Sequence, residues 1–267
     1  MNRRIKTGIV GCGTIGCQLG IFIDKELREY FDLVALCDLD IGKAKSLVGK
    51  LKSKPKILDL DNLCRNSQLI IESASISAAE EIIKKTKNTQ KRLIILSSGV
   101  FVNNPQFIRL SNTQIFIPSG AISGIDGIAS FSMGRIRKLR LVTSKPPSSL
   151  QGAPFIKKMK IDLSKLRKEK IIFKGSINKA IEHFPQNINV ASTLLLASRY
   201  KDMEVIIKVN PHLKNNTHRI EAESNIGKLT VELANIPSED NPKTSLVTIF
   251  STEVLLRKMV ENIKVGS

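Results

Sequence analysis

The stretch Gly8-Ile9-Val10-Gly11-Cys12-Gly13-Thr14-Ile15-Gly16 decides the fold of this chain. An apolar strand pattern, Ile5 to Val10, runs directly into Gly-x-Gly-x-x-Gly, and a helical pattern follows with Leu19, Ile23, Leu27 and Phe31 on one face. Each glycine has its own reason to be glycine. Gly11 allows a tight turn, Gly13 lets a ligand approach the backbone, and Gly16 lets helix and strand pack closely. The helix N-terminus opening at Thr14 and Ile15 presents free N–H groups and the positive end of the helix dipole, which favours an anion such as a pyrophosphate. A glycine-rich turn with no ligand has the same local pattern, so the neighbouring sequence must choose.

It chooses a dinucleotide. Leu33 to Cys37 reads as a second strand ending at Asp38, where a carboxylate can accept hydrogen bonds from ribose hydroxyls and repel a 2′-phosphate. Leu39 and Asp40 follow rather than an arginine, so NAD is the expected cofactor, with NADP left open by Lys43 and Lys45. Asp38 could also cap the next helix. Ile57-Leu58, Leu69 to Glu72, Leu93 to Leu96 and Ile115 to Ile117 read as further strands, with helices over Ala78–Lys85 and Asn104–Leu110. Continuous apolar runs alternating with helices indicate a parallel sheet covered on both faces, an α/β domain of Rossmann type over residues 1–120. Ligands bind beyond the C-terminal ends of such strands, which places Ala74, Ser75 and Ser98 beside the cofactor.

The pattern changes after residue 120. Arg137–Thr143, Lys170–Phe173, Met203–Val209, Arg219–Ser224 and Lys228–Leu233 read as strands, the last two joined by a hairpin turn at Ser224 to Gly227. Ser176–His183 and Val190–Arg199 read as helices. A second, α+β domain with a mostly antiparallel or mixed sheet is expected over residues 121–240. A final helix over 241–267, starting at Asn241-Pro242-Lys243-Thr244 with Leu246, Ile249, Phe250, Val254 and Leu256 at helical spacing, is expected to pack back on the first domain.

Composition bounds the rest. The chain has 267 residues, 42% of them hydrophobic, and no apolar run of membrane-spanning length. The first strand follows Met1-Asn2-Arg3-Arg4 at once, so a cytoplasmic protein without a cleaved leader is expected. Cys12, Cys17, Cys37 and Cys64 lack metal-ligand spacing, which fits unpaired thiols in a reducing compartment and no metal site. Cys12 could be activated by the helix N-terminus or could simply pack in the glycine loop. The net charge of +18 is spread as lysines over helix faces, with one dense loop at Lys157–Lys170, only 4% aromatic residues and no recognised nucleic-acid motif. Neither nucleic acid nor membrane is therefore an expected partner. The positive field would instead draw in anionic ligands.

Three histidines narrow the search for a proton-transfer group. His183 ends a helix, where a C-terminal dipole contact accounts for it, and His212 lies in a polar loop. His218 opens an alternating strand on the face of Ile220 and Ala222, either as a proton-transfer group or as a satisfied core histidine. Asn187 and Asn189 precede a helix, where Asn189 could be its N-cap or could meet the carboxamide end of a nicotinamide. The small-residue loop Pro118-Ser119-Gly120-Ala121 exposes backbone N–H groups that could reach the same end. Lys145 could neutralise a substrate carboxylate or could be an exposed lysine in a rigid turn.

Six motifs occur in order: Gly11 to Gly16, Pro-Ser-Gly-Ala-Ile at 118–122, Lys-Pro-Pro at 145–147, Phe-Pro-x-Asn-Ile-Asn-Val-Ala at 184–191, Asn-x-x-His at 215–218, and Asp240 to Ser245. Together the chain resembles the NAD(P)-dependent L-aspartate dehydrogenase family of archaea and some bacteria, over nearly its whole length. The resemblance implies oxidative deamination of L-aspartate to iminosuccinate, which yields oxaloacetate and ammonia or feeds NAD biosynthesis. It implies His218 as the catalytic residue, with Ala121 (through its backbone amide) and Asn189 at the cofactor and Asn187 beside them. Ser119 and Lys145 are candidates for substrate contact, and a homodimer through the second domain's sheet is expected. The departures are the lysine-rich 157–170 segment and Asp240, where glutamate is expected. The rival readings are a two-domain reductase of homoserine or dihydrodipicolinate type, whose paired-histidine signature in the latter case is missing, and a non-enzymatic NAD(H) sensor.

Overall fold

The computed structural model describes residues 4–109, 112–184 and 188–266. The chain divides into two compact units, Met1–Pro118 with Thr248–Val265, and Ser119–Val247 with the last two residues.

In the first unit the elements are β1 (Ile5–Val10), α1 (Thr14–Glu26), β2 (Phe31–Cys37), α2 (Ile41–Lys50), β3 (Lys56–Ile57), α3 (Leu60–Asn66), β4 (Leu69–Glu72), α4 (Ile76–Thr86), β5 (Arg92–Ile95), α5 (Val100–Asn103) and β6 (Gln114–Phe116). Six parallel strands lie in the order β3-β2-β1-β4-β5-β6. The order reverses between β1 and β4, and the carboxyl ends of those two strands are where such sheets bind ligands. Leu69, Ile70 and Ile71 are all buried, as a strand covered on both faces requires.

Several boundaries differ from the sequence reading. Leu19, Ile23 and Leu27 are buried on α1 and its cap, but Phe31 begins β2, because the chain turns back at Leu27 with Tyr30 and Phe31 both donating to its carbonyl. The expected helix over Asn104–Leu110 is instead the short α5 followed by a 3₁₀ turn, Pro105–Arg109, with Leu110 outside the described residues. Pro105 keeps Asn104 out of the helical region, which breaks the two apart. α3 was not foreseen. Asp59 caps it by accepting from the Asn62 amide at 2.8 Å.

The second unit contains α6 (Ile125–Ser132), β7 (Ile136–Lys145), α7 (Pro154–Lys158), β8 (Lys170–Ser176), α8 (Ile177–His183), α9 (Ile188–Ser198), β9 (Glu204–Val209), β10 (Thr217–Ser224), β11 (Gly227–Ala234), β12 (Pro237–Ser238) and β13 (Asn241–Ser245). Its main sheet runs β11-β10-β7-β9-β8 and is mixed, with β7 and β9 parallel and the other pairs antiparallel. Leu139, Leu141, Val205, Ile207, Ile220 and Ala222 alternate onto one face and form a core with Ile128, Ile177 and Leu194 of the helices. The 157–170 segment is more than a solvated loop, because α7 and a 3₁₀ turn at Leu163–Lys165 anchor it through buried Ile156 and Leu163.

The last helix, α10, spans Leu246–Lys258 and does not start at Asn241. Residues 241–245 are β13, paired with β12, because the residue before a proline is driven to extended backbone. Ile249, Thr252 and Leu256 are the buried positions of α10, while Phe250 and Val254 are exposed. Leu256 joins Ile9, Leu19 and Leu36 in the first unit's core, and the Arg257 guanidinium lies 5.4 Å from the Phe22 ring centre. Among the described residues no helix is long and apolar enough to cross a membrane.

Candidate functional site

The glycine loop is shaped by its neighbours. Gly11 has φ +92°, a conformation that only glycine adopts without strain, and a β-carbon there would lie 2.7 Å from the Ser73 carbonyl. At Gly16 a β-carbon would collide with the Gly11 carbonyl oxygen, so the helix sits directly against the backbone of the turn that follows β1. Gly13 is different. It caps α1 with no side-chain hydrogen bond, and a β-carbon added to it would meet nothing within 4 Å. The first turn of α1, with Thr14 and Ile15, therefore has open space over a bare helix N-terminus, which fits a dinucleotide's pyrophosphate.

Asp38 stands at the end of β2. Its Oδ2 accepts from the Cys12 amide at 2.6 Å and its Oδ1 from the Asp40 amide at 2.8 Å. It does not cap α2, because Asp40 does so by accepting from the Gly42 amide. A carboxylate has acceptor positions beyond the two used here, so ribose hydroxyls remain compatible with this arrangement. The Cys12 thiol is pushed up to about 12, first by burial and then by the Asp38 charge, so it packs and is not activated by the helix. All four cysteines are free thiols.

Sequence reasoning missed Glu72. Fully buried at the end of β4, it accepts from the Ala74 and Ser75 amides at 2.8 and 2.9 Å, and from the amide and hydroxyl of Ser97 at 3.0 and 2.9 Å. Burial pushes its carboxyl up, against the pull of those four donors. It thus ties together the two loops that carry Ala74, Ser75 and Ser98, and the Ser75 hydroxyl also caps α4. A carboxylate closing an apolar strand was the available signal. Glu72→Gln places an amide nitrogen against an N–H donor, and we expect a loss of about 1–3 kcal/mol in urea unfolding. An unchanged midpoint would mean the loops hold without it.

In the second unit, His218 is 6% exposed and faces inward with Ile220 and Ala222. Its Nδ1 lies 3.0 Å from Thr143 Oγ1, directly across the β10–β7 ladder. Burial, and then the charge of Lys145, push its pKa down to about 3. Lys145 is not the exposed turn residue of one sequence reading. It is 7% exposed, ends β7 opposite Val209 of β9, and burial lowers its amine to about 8. The period of two from Leu139, Leu141 and Thr143, carried one step further, places Lys145 on the core face. Thr143, which sequence reasoning passed over, also lines a cavity of about 20 Å³ with Leu141, Phe184 and Ala191, room for one water.

The remaining candidates spread around this unit. Gly120 has φ +66°, Ser119 and Ala121 beside it are half-buried, and the Ala121 carbonyl accepts from Asn235 Nδ2 at 3.1 Å. Asn189 is exposed in the first turn of α9 and is not its N-cap, since the helix begins at Ile188. Asn187 lies outside the described residues. His183 packs its ring 5.0 Å from Phe155, and His212 is exposed, with its Nε2 3.1 Å from the Arg167 carbonyl.

Residues 126–259 match the family model described as "Aspartate dehydrogenase, C-terminal", and residues 11–114 match "Homoserine dehydrogenase, NAD binding domain". The L-aspartate dehydrogenase of Methanosarcina acetivorans is 36% identical over 271 aligned residues, which take in 98% of this chain and 100% of that one. The chain belongs to the aspartate dehydrogenase family. A second relative, the L-aspartate dehydrogenase of Methanocaldococcus jannaschii, is 35% identical with 98% of this chain and 100% of its own length covered. The crystal structure of aspartate dehydrogenase from Thermotoga maritima matches with a TM-score of 0.76 at 27% identity, over 99% of this chain and 100% of that one. Within this family, the C-terminal match takes in Thr143, Lys145 and His218, and the N-terminal match takes in the glycine loop, Asp38 and Glu72.

Proposed function

We propose that the chain oxidises L-aspartate at Cα with a nicotinamide dinucleotide, forming iminosuccinate, which water converts to oxaloacetate and ammonia. One observation carries the reading: the buried Thr143–His218–Lys145 cluster lies in the segment that matches the aspartate dehydrogenase family. That same match favours aspartate over homoserine, because the homoserine dehydrogenase likeness is confined to the cofactor-binding segment.

When bound, the nicotinamide supplies the hydride acceptor. The α1 N-terminus at Gly13 to Gly16 holds the pyrophosphate, and Asp38 receives the ribose hydroxyls. Ala74, Ser75 and Ser98 border the dinucleotide from the loops fixed by Glu72. The Ala121 amide, Asn189 and Asn187 take the nicotinamide end. Lys145, with Ser119, meets a substrate carboxylate. His218 contacts the amine and the attacking water, with its ring held by Thr143. The assay that tests this is absorbance of the reduced cofactor after mixing the chain with NAD or NADP and a panel of amino acids. Signal with aspartate supports the proposal; silence with aspartate overturns it.

NAD is the preferred cofactor, on the strength of Asp38 and the absence of an arginine after it. Asp38→Ala should raise KM for NAD by about ten- to a hundredfold, the worth of a charge-assisted hydrogen bond, and KM for NADP by less. Equal losses with both cofactors would place Asp38's role on the Cys12 amide alone. The chain acts as a homodimer through the outer face of the second unit's sheet, where Val142 and Ile206 sit among the ion-paired Arg140, Glu204 and Glu221. Light scattering tests this. A cytoplasmic setting is supported by the four free thiols.

A further inference from the structure

We infer that Asn235 is a positioning residue for the proposed reaction: its side-chain amide holds the Ala121 loop in place beside the strand that carries His218. This rests on the aspartate oxidation proposed above and adds a residue that acts on it through Ala121.

Asn235 is out of pattern. Leu229, Val231 and Leu233 of β11 are half-buried at every second position, and Leu233 stands opposite His218 across the β10–β11 ladder. Two residues further on, the same face calls for another apolar side chain. Asn235 stands there instead, 4% exposed. A buried amide costs free energy unless its polar atoms are paired.

Its partners come from three separate segments. The Asn235 backbone amide donates to the Asn216 carbonyl at 2.8 Å, one step past the Thr217–Ala234 pair of the ladder. Nδ2 donates to the Ala121 carbonyl at 3.1 Å, and Oδ1 accepts from the Ser245 hydroxyl. A carbonyl can only accept, so the Ala121 contact fixes which end of the amide faces the loop. The β12–β13 hairpin brings Ser245 back to this point: Ser245 pairs with Pro237, and the Leu246 amide donates to the Ile236 carbonyl at 3.0 Å. The motifs at 118–122, 215–218 and 240–245 thus meet at one side chain that belongs to none of them. All three lie in the second unit.

The arrangement bears on the chemistry. The Ala121 amide is the proposed contact of the nicotinamide end, and His218 that of the substrate amine. Hydride transfer needs the two reacting carbons in close register, and a misplacement of about 1 Å can cost about 10²-fold in rate. Asn235 touches neither reactant. It sets the spacing between the residues that do, and Ser245 sets the orientation of its amide.

The first test needs no turnover. In the full chain labelled with carbonyl-¹³C alanine, the resonance absent from Ala121→Gly belongs to Ala121. Asn235→Leu keeps the shape of the side chain without its polar atoms, so that resonance should move upfield as the carbonyl loses its donor. An unmoved resonance refutes the hold. The second test is kinetic, read per folded molecule below the unfolding midpoint. Asn235→Leu should lower kcat with aspartate by about 10²-fold. NADH affinity should stay near wild type, because the proposed pyrophosphate and ribose contacts belong to the first unit. Asn235→Asp still accepts from Ser245 but offers Ala121 no N–H, and should lose kcat in the same way. It also carries the test should Asn235→Leu fail to fold. Ser245→Ala should cost less, and should add nothing to Asn235→Leu, because Ser245 acts through the amide. Wild-type kcat in Asn235→Leu or Asn235→Asp, with stability alone reduced, would make Asn235 a structural residue and overturn the proposal. An NADH affinity that falls as far as kcat overturns it too. A wild-type chain silent with aspartate under both cofactors refutes the reaction, whereas an unmoved Ala121 resonance refutes the hold, so the two failures are told apart.

Discussion

Gly16→Ala is expected to destabilise the chain by about 3 kcal/mol and to abolish dinucleotide binding, the upper end of what overpacking costs. The added methyl would collide with the Gly11 carbonyl oxygen and stand 2.8 Å from the Ser73 hydroxyl, and neither can retreat. The Gly11 carbonyl belongs to a residue at φ +92°, and the Ser73 hydroxyl already donates to that carbonyl at 2.9 Å. Relief must come from moving α1 off β1, which takes with it the first-turn N–H groups proposed to hold the pyrophosphate. Gly13→Ala is the matching control. Gly13 has φ −70°, which alanine adopts freely, and its new methyl would touch nothing. Its stability should fall by less than about 1 kcal/mol, the difference between glycine and alanine at an N-cap. Yet the methyl would occupy the space that a pyrophosphate needs, so reduced-cofactor affinity should fall by tenfold or more. Urea unfolding and NADH fluorescence titration separate the two effects. Wild-type NADH affinity in Gly13→Ala would show that this loop is not the phosphate cradle.

The second large effect concerns His218. Burial holds its pKa at about 3 against 6.5 for a free histidine, so the unfolded chain binds the proton more readily. Stability is therefore fully present above pH 6.5 and is lost as the pH falls towards 3. Each pH unit in that window costs about 1.4 kcal/mol, or about 5 kcal/mol over the whole of it. His218→Gln fills the site with a group that does not titrate. The stability lost between pH 6.5 and 4 should then be smaller than in wild type by about 3 kcal/mol, as urea midpoints would register. The same variant, like His218→Ala, should lose about 10²-fold or more in aspartate oxidation while NADH affinity stays near that of wild type. Acid sensitivity equal to wild type would mean that His218 is charged in the folded chain. Unchanged turnover would remove it from the reaction.

Much of the first unit was legible because its signals are local. A strand, three spaced glycines and a helix lie within Ile5 to Glu26, and the strand ends follow from runs such as Leu69-Ile70-Ile71. Reading failed where two local rules compete. Asn241-Pro242 can open a helix or extend a strand, and only pairing with Pro237–Ser238 settles it. Phe250 and Val254 have helical spacing, but α10 has apolar residues on more than one side, so periodicity could not say which face would be covered.

The candidate site divides along the same line. The residue types and their spacing determined by themselves that a strand, a glycine loop and a helix begin the first unit, that Asp38 ends the second strand and that His218 faces inward. They also carried the family resemblance. Tertiary structure alone decided that Asp38 holds the Cys12 amide, that Glu72 ties two loops together, and that Lys145 is buried beside His218 rather than exposed. The reason is physical. Backbone preferences and apolar periodicity act over a few neighbouring residues. A side chain's desolvation and its partners depend on strands brought together from across the chain, as Thr143 and His218 are, and a charge's pKa follows that environment.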